Sequence, residues 1–134
     1  MTTRHAEGTF RIQSWDEGPY AEVDGAPKLT RAHVTSRYGG GIEGEGTSET
    51  LMFYPEETTA TYSGFERVVG RLDGREGTFV LSGSGTYENG AATTRWSVVP
   101  GSGTGELSGL RGEGGFVAGQ GADEVAYRLD YDLD

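Results

Sequence analysis

The chain has 134 residues and no cysteine, which is enough for one domain with a hydrophobic core that needs neither disulfides nor a structural metal. Its 21 acidic and 11 basic residues give a net charge of -10, which disfavours nucleic acid and anionic membrane surfaces as partners. No apolar run is long enough to span a membrane, and the first residues lack the apolar core of a signal peptide, so we expect a cytoplasmic protein.

Eight segments with alternating apolar and polar residues follow one another along the chain, and none has a sustained helical period. They span approximately residues 9–15, 28–38, 42–54, 59–72, 77–87, 91–99, 104–117 and 125–133. Asp73-Gly74 and Asn89-Gly90 predict tight hairpins, because both pairs tolerate positive φ angles. Residues 1–8 are expected to form a flexible tail, and residues 9–134 a single domain.

Each segment has one face that is more apolar than the other. In residues 59–72 we expect the face that carries Ala60, Tyr62, Glu66 and Val68 to point inward. Eight antiparallel strands with one apolar face each bury that face most simply by closing into a barrel, which also removes the sheet edges. The predicted fold class is therefore all-β, a single antiparallel, roughly eight-stranded closed β-barrel. An interior of this size is either filled by side chains or holds one small ligand.

Side-chain volumes along residues 42–54 favour an interior with free space. The face predicted to point inward carries small residues, including Gly46 and Ser48, and then larger ones, Met52 and Tyr54. This taper leaves room for a pocket. The opposite face ends in Leu51 and Phe53, which could belong to a subunit contact or to ordinary exposed surface.

Glu66 is the candidate for chemistry, because it is the one ionisable acid on the inward face of its strand. Desolvation there would raise its pKa, as proton donors and bases near neutral pH require. The alternative is a structural carboxylate that an arginine, a tyrosine hydroxyl or the backbone satisfies. For Tyr62, Tyr87 and Trp96, simple core packing is the more common role of such residues. The inward-facing set predicted to contact a ligand is Met52, Tyr62, Glu66, Tyr87 and Trp96.

The glycine-rich stretch from Pro100 to Phe116 does not fit a phosphate-binding loop. It lacks the Lys-Ser/Thr ending and the helix that such a loop requires, and two glutamates would oppose an anion. A glycine-dense strand is predicted instead. Leu107 and Leu110 would lie on opposite faces of a regular strand, so we predict a bulge between Ser108 and Gly112. The sequence predicts no metal site and no cofactor.

Several motifs together resemble a bacterial family called domain of unknown function 3224, over about residues 9–133. They are "SWDEGPY" (14–20), "KLTRAHVT" (28–35), "GGIEGEGTSETLMFY" (40–54), "SGFERVVGRLDGREGTFVL" (63–81), "GTYENG" (85–90) and "WSVVPGSGTGELSGLRGEGGF" (96–116). The resemblance implies an antiparallel barrel of the allene oxide cyclase type. Residues 103–109 are similar to a glycine motif of allene oxide cyclases and dirigent proteins, with Leu107 in place of its aromatic residue.

Three functions remain open at this point. The first is a barrel that binds a small apolar or aromatic molecule in its interior. The second is an isomerase or cyclase of the allene oxide cyclase type, with Glu66 as general acid or base. The third is a non-catalytic assembly protein that forms a homo-oligomer, such as a dimer or trimer, through its outer wall. The sequence does not decide whether the protein is an enzyme.

Overall fold

The computed structural model describes residues 3–119 and 121–133, which form eight β-strands and a single 3₁₀ turn. The strands are β1 (Arg4–Pro19), β2 (Lys28–Gly40), β3 (Ile42–Glu56), β4 (Thr59–Leu72), β5 (Arg75–Glu88), β6 (Ala91–Val98), β7 (Arg111–Gly119) and β8 (Val125–Asp132). The 3₁₀ turn, Gly105–Leu107, lies between β6 and β7. Within the described residues, no helix is long and apolar enough to cross a membrane.

The strands form a closed antiparallel barrel in which each pairs with its neighbours in the sequence and β8 pairs with β1. This confirms the predicted fold class. Both predicted hairpins are present, with positive φ angles at Asp73 (48°), Gly74 (84°), Asn89 (53°) and Gly90 (77°). Gly119-Gln120-Gly121 is a further turn signal of the sequence, but Gln120 lies outside the described residues. Because connections alternate between the two ends, one end of the barrel carries the β1–β2, β3–β4, β5–β6 and β7–β8 turns. We call it the open end, and the opposite end the base.

Strand β1 begins earlier than the alternation predicted. Residues 4–8, assigned from the sequence to a flexible tail, lie in β1, and Arg4–Phe10 pair with Val125–Tyr131 of β8. His5 Nδ1 lies 2.6 Å from Asp130 Oδ1 across this pair. The apolar pattern gave little sign of the strand, because only Ala6 is buried among these residues. Of the rest of the predicted tail, Thr3 is exposed and belongs to no strand, and residues 1 and 2 lie outside the described part of the chain.

The segment 104–117 is not one continuous strand with a bulge, as the sequence suggested. Residues 99–110, here called the base loop, contain the 3₁₀ turn, and β7 starts only at Arg111. Positive φ angles at Gly105 (60°) and Gly109 (88°) are incompatible with an extended strand. Leu107 and Leu110 are therefore both buried without a bulge, because the loop carries both of them into the barrel base.

The base loop also replaces a strand partner for the first half of β5. Strand β6 pairs only with Leu81–Glu88, so the backbone groups before Leu81 need other partners. Thr78 N–H donates to Thr104 Oγ1 (3.0 Å), and Val80 N–H donates to Ser102 Oγ (3.0 Å). The Thr104 N–H donates in return to the Thr78 carbonyl (2.9 Å). The loop thus covers the sheet edge that the short β6 leaves unpaired.

Side chains fill the base half of the barrel. Fully buried residues there include Ile42, Leu72, Phe79, Leu107, Leu129 and Tyr131. The smaller buried cluster at the open end contains Ala32, Val34, Met52 and Ala60, with three tyrosines packed beside it. The interior is therefore neither solid nor hollow throughout: it is packed at the base and contains free space toward the open end.

Leu51 and Phe53 lie on the outer wall of β3, as the alternation predicted. Their exposed fractions are 43% and 41%, and Phe65 on β4 is exposed nearby, at the position paired with Glu49. Single exposed apolar side chains are common on soluble proteins. A subunit contact through this face stays a prediction.

Candidate functional site

A cavity of about 370 Å³ occupies the open half of the barrel. Its walls are mainly apolar and aromatic, and Ser48 and Thr50 of β3 contribute two of the few polar side chains. The structure brings together there all five side chains predicted from the sequence to contact a ligand: Met52, Tyr62, Glu66, Tyr87 and Trp96.

Glu66 points into the cavity from β4, as predicted from its face of the strand. The Tyr38 hydroxyl lies 2.9 Å from both carboxylate oxygens of Glu66 and donates its hydrogen bond to them. Burial raises the pKa of Glu66 from its ordinary value of 4.5 to about 7, although the Tyr38 hydroxyl partly lowers it. The pKa of Tyr38 is also raised, mainly by burial and secondly by the charge of Glu66.

Gly46 on β3 makes room for this arrangement. A Cβ atom at position 46 would lie 2.0 Å from Glu66 Oε2 and 2.9 Å from Tyr38 Cε1. Any larger residue would therefore push the carboxylate or the ring out of place. The glycine is needed here for space.

Aromatic rings form the floor of the cavity, which consists of Phe10, Tyr38, Trp96 and Phe116. Phe10 packs edge-on against Phe116 with ring centroids 4.9 Å apart, and Tyr38 and Trp96 lie 6.2 Å apart. Below them Tyr127 contacts the Tyr38 ring edge-on at 5.5 Å. The hydroxyl of Tyr127 accepts from the Ile42 N–H and donates to the Gly39 carbonyl, both at 2.8 Å. This packing holds the Tyr38 ring, and therefore its hydroxyl, in position.

The other predicted ligand contacts form the side walls. The Tyr62 hydroxyl shares a hydrogen bond of 2.7 Å with Thr94 Oγ1, and burial raises the pKa of Tyr62. Met52 is buried beside Val34, and Tyr87 is half-buried near the open end. Tyr62 is therefore a fixed polar group, whereas Met52 and Tyr87 offer apolar surface.

Residues 6–131 match a protein family described as "Protein of unknown function (DUF3224)". The chain belongs to the DUF3224 family. A crystal structure of a protein with unknown function from this family, from Shewanella oneidensis MR-1, is similar to it with a TM-score of 0.80 and 28% sequence identity, covering 99% of each chain. No curated protein matches the chain.

Sequence reasoning missed three of the cavity residues in this DUF3224 protein: Tyr38, Phe10 and Phe116. Tyr38 lies on β2, opposite Gly44 of β3, and Glu66 lies on β4, which does not pair with β2. The pattern of neither strand alone therefore indicates that the two side chains meet. The sequence signal for Tyr38 is its two-residue spacing from Ser36 and Val34 along β2, and all three side chains are buried. It predicts that Tyr38 faces inward but not which group it contacts.

A second carboxylate lies beside the open end of this DUF3224 barrel. Glu17 of β1 accepts hydrogen bonds from Thr30 Oγ1 and the Tyr54 hydroxyl, both at 2.6 Å, and from Trp15 Nε1 at 3.0 Å. Although burial acts to raise the pKa of Glu17, these hydrogen bonds lower it overall. Trp15 and Tyr54 both line the cavity. Glu17 therefore orients two side chains at the entrance and keeps its negative charge there.

Proposed function

We propose that this protein binds a small apolar or aromatic molecule in the open half of its barrel. The observation that carries this proposal is the cavity of about 370 Å³ with its aromatic floor and one carboxyl group. Ligand sites have this composition, a mostly apolar concave surface with a few polar groups, and this range of volume. A structural core would instead be packed without such a void.

Filling the cavity should prevent binding of a neutral aromatic probe such as N-phenyl-1-naphthylamine. In Gly83→Leu the added side chain would occupy the cavity, since Gly83 lines it and a Cβ there would meet only Trp96 Cδ1 at 3.3 Å and atoms farther away. We expect the probe affinity to fall by about tenfold or more, the equivalent of losing roughly 1.4 kcal/mol of contacts. Probe fluorescence in a titration measures this.

Ser84→Leu is the matched control, because residue 84 is the exposed neighbour on the same strand. It should bind the probe like the unchanged protein. The proposal fails if the unchanged protein shows no saturable binding, or if both variants lose the same affinity.

The pKa of Glu66, about 7, favours a second candidate function. In an isomerase or cyclase that resembles allene oxide cyclase, Glu66 would act as general acid or base on a substrate held in the cavity. Two observations support this candidate. The carboxyl group lines the cavity, and among the described residues no arginine, lysine or histidine forms an ion pair with it.

A probe reaction tests whether Glu66 can act as a base. Proton abstraction from 5-nitrobenzisoxazole breaks its N–O bond and releases a coloured phenolate, and an aromatic cavity with a carboxylate should accelerate it. We expect the rate to rise with pH through about 7, where Glu66 ionises, and to fall by about 100-fold in Glu66→Gln. Absorbance of the phenolate gives the rate.

Glu43→Gln is the control for this reaction, since Glu43 is exposed on the outer face of β3. Its rate should match that of the unchanged protein. If Glu66→Gln retains the full rate, or if no rate above that of the buffer is seen, the catalytic candidate is untenable and the binding proposal is unaffected.

A further inference from the structure

The Glu66 carboxylate has capacity to accept hydrogen bonds that the protein does not use. An ionised carboxylate offers about four lone-pair sites. Within the described residues, its hydrogen-bond donor is the single Tyr38 hydroxyl, which the two oxygens share at 2.9 Å each. No arginine, lysine or histidine of the described chain lines the cavity. The cavity therefore presents an acceptor group with no positive partner, and a ligand with N–H groups would supply what is missing.

The walls around the cavity also suit a positive charge. The floor contains four aromatic rings, among them Trp96, the type whose face attracts cations most strongly. The entrance already shows one such contact, because Lys28 Nζ lies 4.3 Å from the centroid of the Tyr54 ring. Rings in a cavity from which water is excluded hold a cation more strongly than rings at the surface.

The net charge of the whole protein also favours a cationic ligand. A net charge of -10 gives a negative potential that concentrates cations near the surface and repels anions. Glu17 at the entrance remains ionised at neutral pH, since hydrogen bonds lower its pKa. An anionic ligand would meet repulsion at Glu66, whereas a cation would be attracted there; at the entrance the charge of Lys28 partly offsets that of Glu17.

We propose that the ligand is a small hydrophobic amine that binds as an ammonium ion, with its charged nitrogen on the Glu66 carboxylate and its apolar body against the aromatic floor. This inference rests on the proposed binding function and adds the chemical class of the ligand. The ammonium supplies up to three N–H donors and the opposite charge, both of which the carboxylate lacks in the free protein. A neutral ligand of the same shape would supply at most weaker donors.

Three probes that share one naphthalene body separate these possibilities: 1-naphthylmethylamine, 1-naphthalenemethanol and 1-naphthoate. Calorimetric titration at about pH 8 keeps the amine protonated and Glu66 ionised. We expect the amine to bind about tenfold or more tighter than the alcohol, and the carboxylate probe to bind most weakly. In Glu66→Gln the preference for the amine should fall to about threefold or less, the part that the aromatic floor and the net charge supply.

Glu43→Gln removes one negative charge from the outer wall and should keep the preference for the amine. If the amine binds no tighter than the alcohol to the unchanged protein, the assignment of the ligand class is wrong while the binding function stands. A preference of unchanged size in Glu66→Gln also overturns it, because the aromatic floor and the general charge of the protein would then account for the selectivity. If none of the three probes binds, the proposed function itself fails.

Discussion

Replacing Glu66 with glutamine should raise the free energy of unfolding at about pH 8 by about 3 kcal/mol. Folding raises the pKa of this carboxyl group from 4.5 to about 7 because burial disfavours its charge. Above that pKa the folded protein must hold an ionised carboxylate in a largely apolar cavity. Glutamine has almost the same shape, can still accept from the Tyr38 hydroxyl, and carries no charge.

The pH dependence distinguishes this effect from other consequences of the substitution. Between about pH 4.5 and 7 the folded state holds a proton that the unfolded state has lost, so raising the pH over this window favours unfolding. Stability from this group is therefore complete below the unfolded pKa and is lost as the pH rises through about 7. The variant and the unchanged protein should be similar in stability near pH 4.5 and differ most at about pH 8.

Urea denaturation of both proteins at several pH values measures the difference, in which the other titrating groups cancel. The exposed Glu43→Gln variant should differ from the unchanged protein by less than about 0.5 kcal/mol. A gap between Glu66→Gln and the unchanged protein that does not change with pH would show that Glu66 is not a desolvated acid.

A carboxylate that lowers the free energy of unfolding is expected at a site where it binds a ligand. Proteins keep destabilising groups at functional sites, and their replacement commonly stabilises the fold at the expense of activity. Glu66 has no basic partner among the described residues, and the Tyr38 hydroxyl stabilises its charge only in part, so a cation that entered the cavity would compensate the rest. The stability prediction and the proposed ammonium ligand therefore depend on the same feature of the structure, the Glu66 carboxylate without a basic partner.

The features of the barrel that the sequence predicted are those that follow from local patterns. Alternation placed Tyr62, Glu66 and Val68 on the inward face of β4, and the positive φ angles at Asp73 and Asn89 occur where Asp-Gly and Asn-Gly indicated tight turns. Both patterns depend on neighbouring residues only. The predicted cavity residues on β3, β4, β5 and β6 could be identified for this reason.

The features that the sequence did not predict depend on contacts between distant segments. Tyr38 and Glu66 lie 28 positions apart, and their contact depends on Gly46 of a third strand. The start of β1 depends on its pairing with β8 at the other end of the chain. In the base loop, alternation suggested a strand, but positive φ angles at two glycines and hydrogen bonds to β5 produce a 3₁₀ turn.

Truncating Leu107 to alanine should lower the free energy of unfolding by about 2–5 kcal/mol. The side chain is fully buried in the base of the barrel, where it packs close to Gly77 of β5. Its removal would leave a void that the surrounding strands cannot collapse to fill, because they are held by the pairing of the closed barrel. Urea denaturation at neutral pH measures the loss.

Leu51→Ala makes the same chemical change on the outer wall, where the leucine is 43% exposed, and should cost much less. Leu107 does not line the cavity, so the variant should bind the neutral naphthylamine probe like the unchanged protein under conditions where it remains folded. A small loss of stability would mean that the base loop is not part of the cooperative unit. A large loss with binding retained would show that the loop between β6 and β7 stabilises the base, while the chemistry of the site belongs to the strands at the open end.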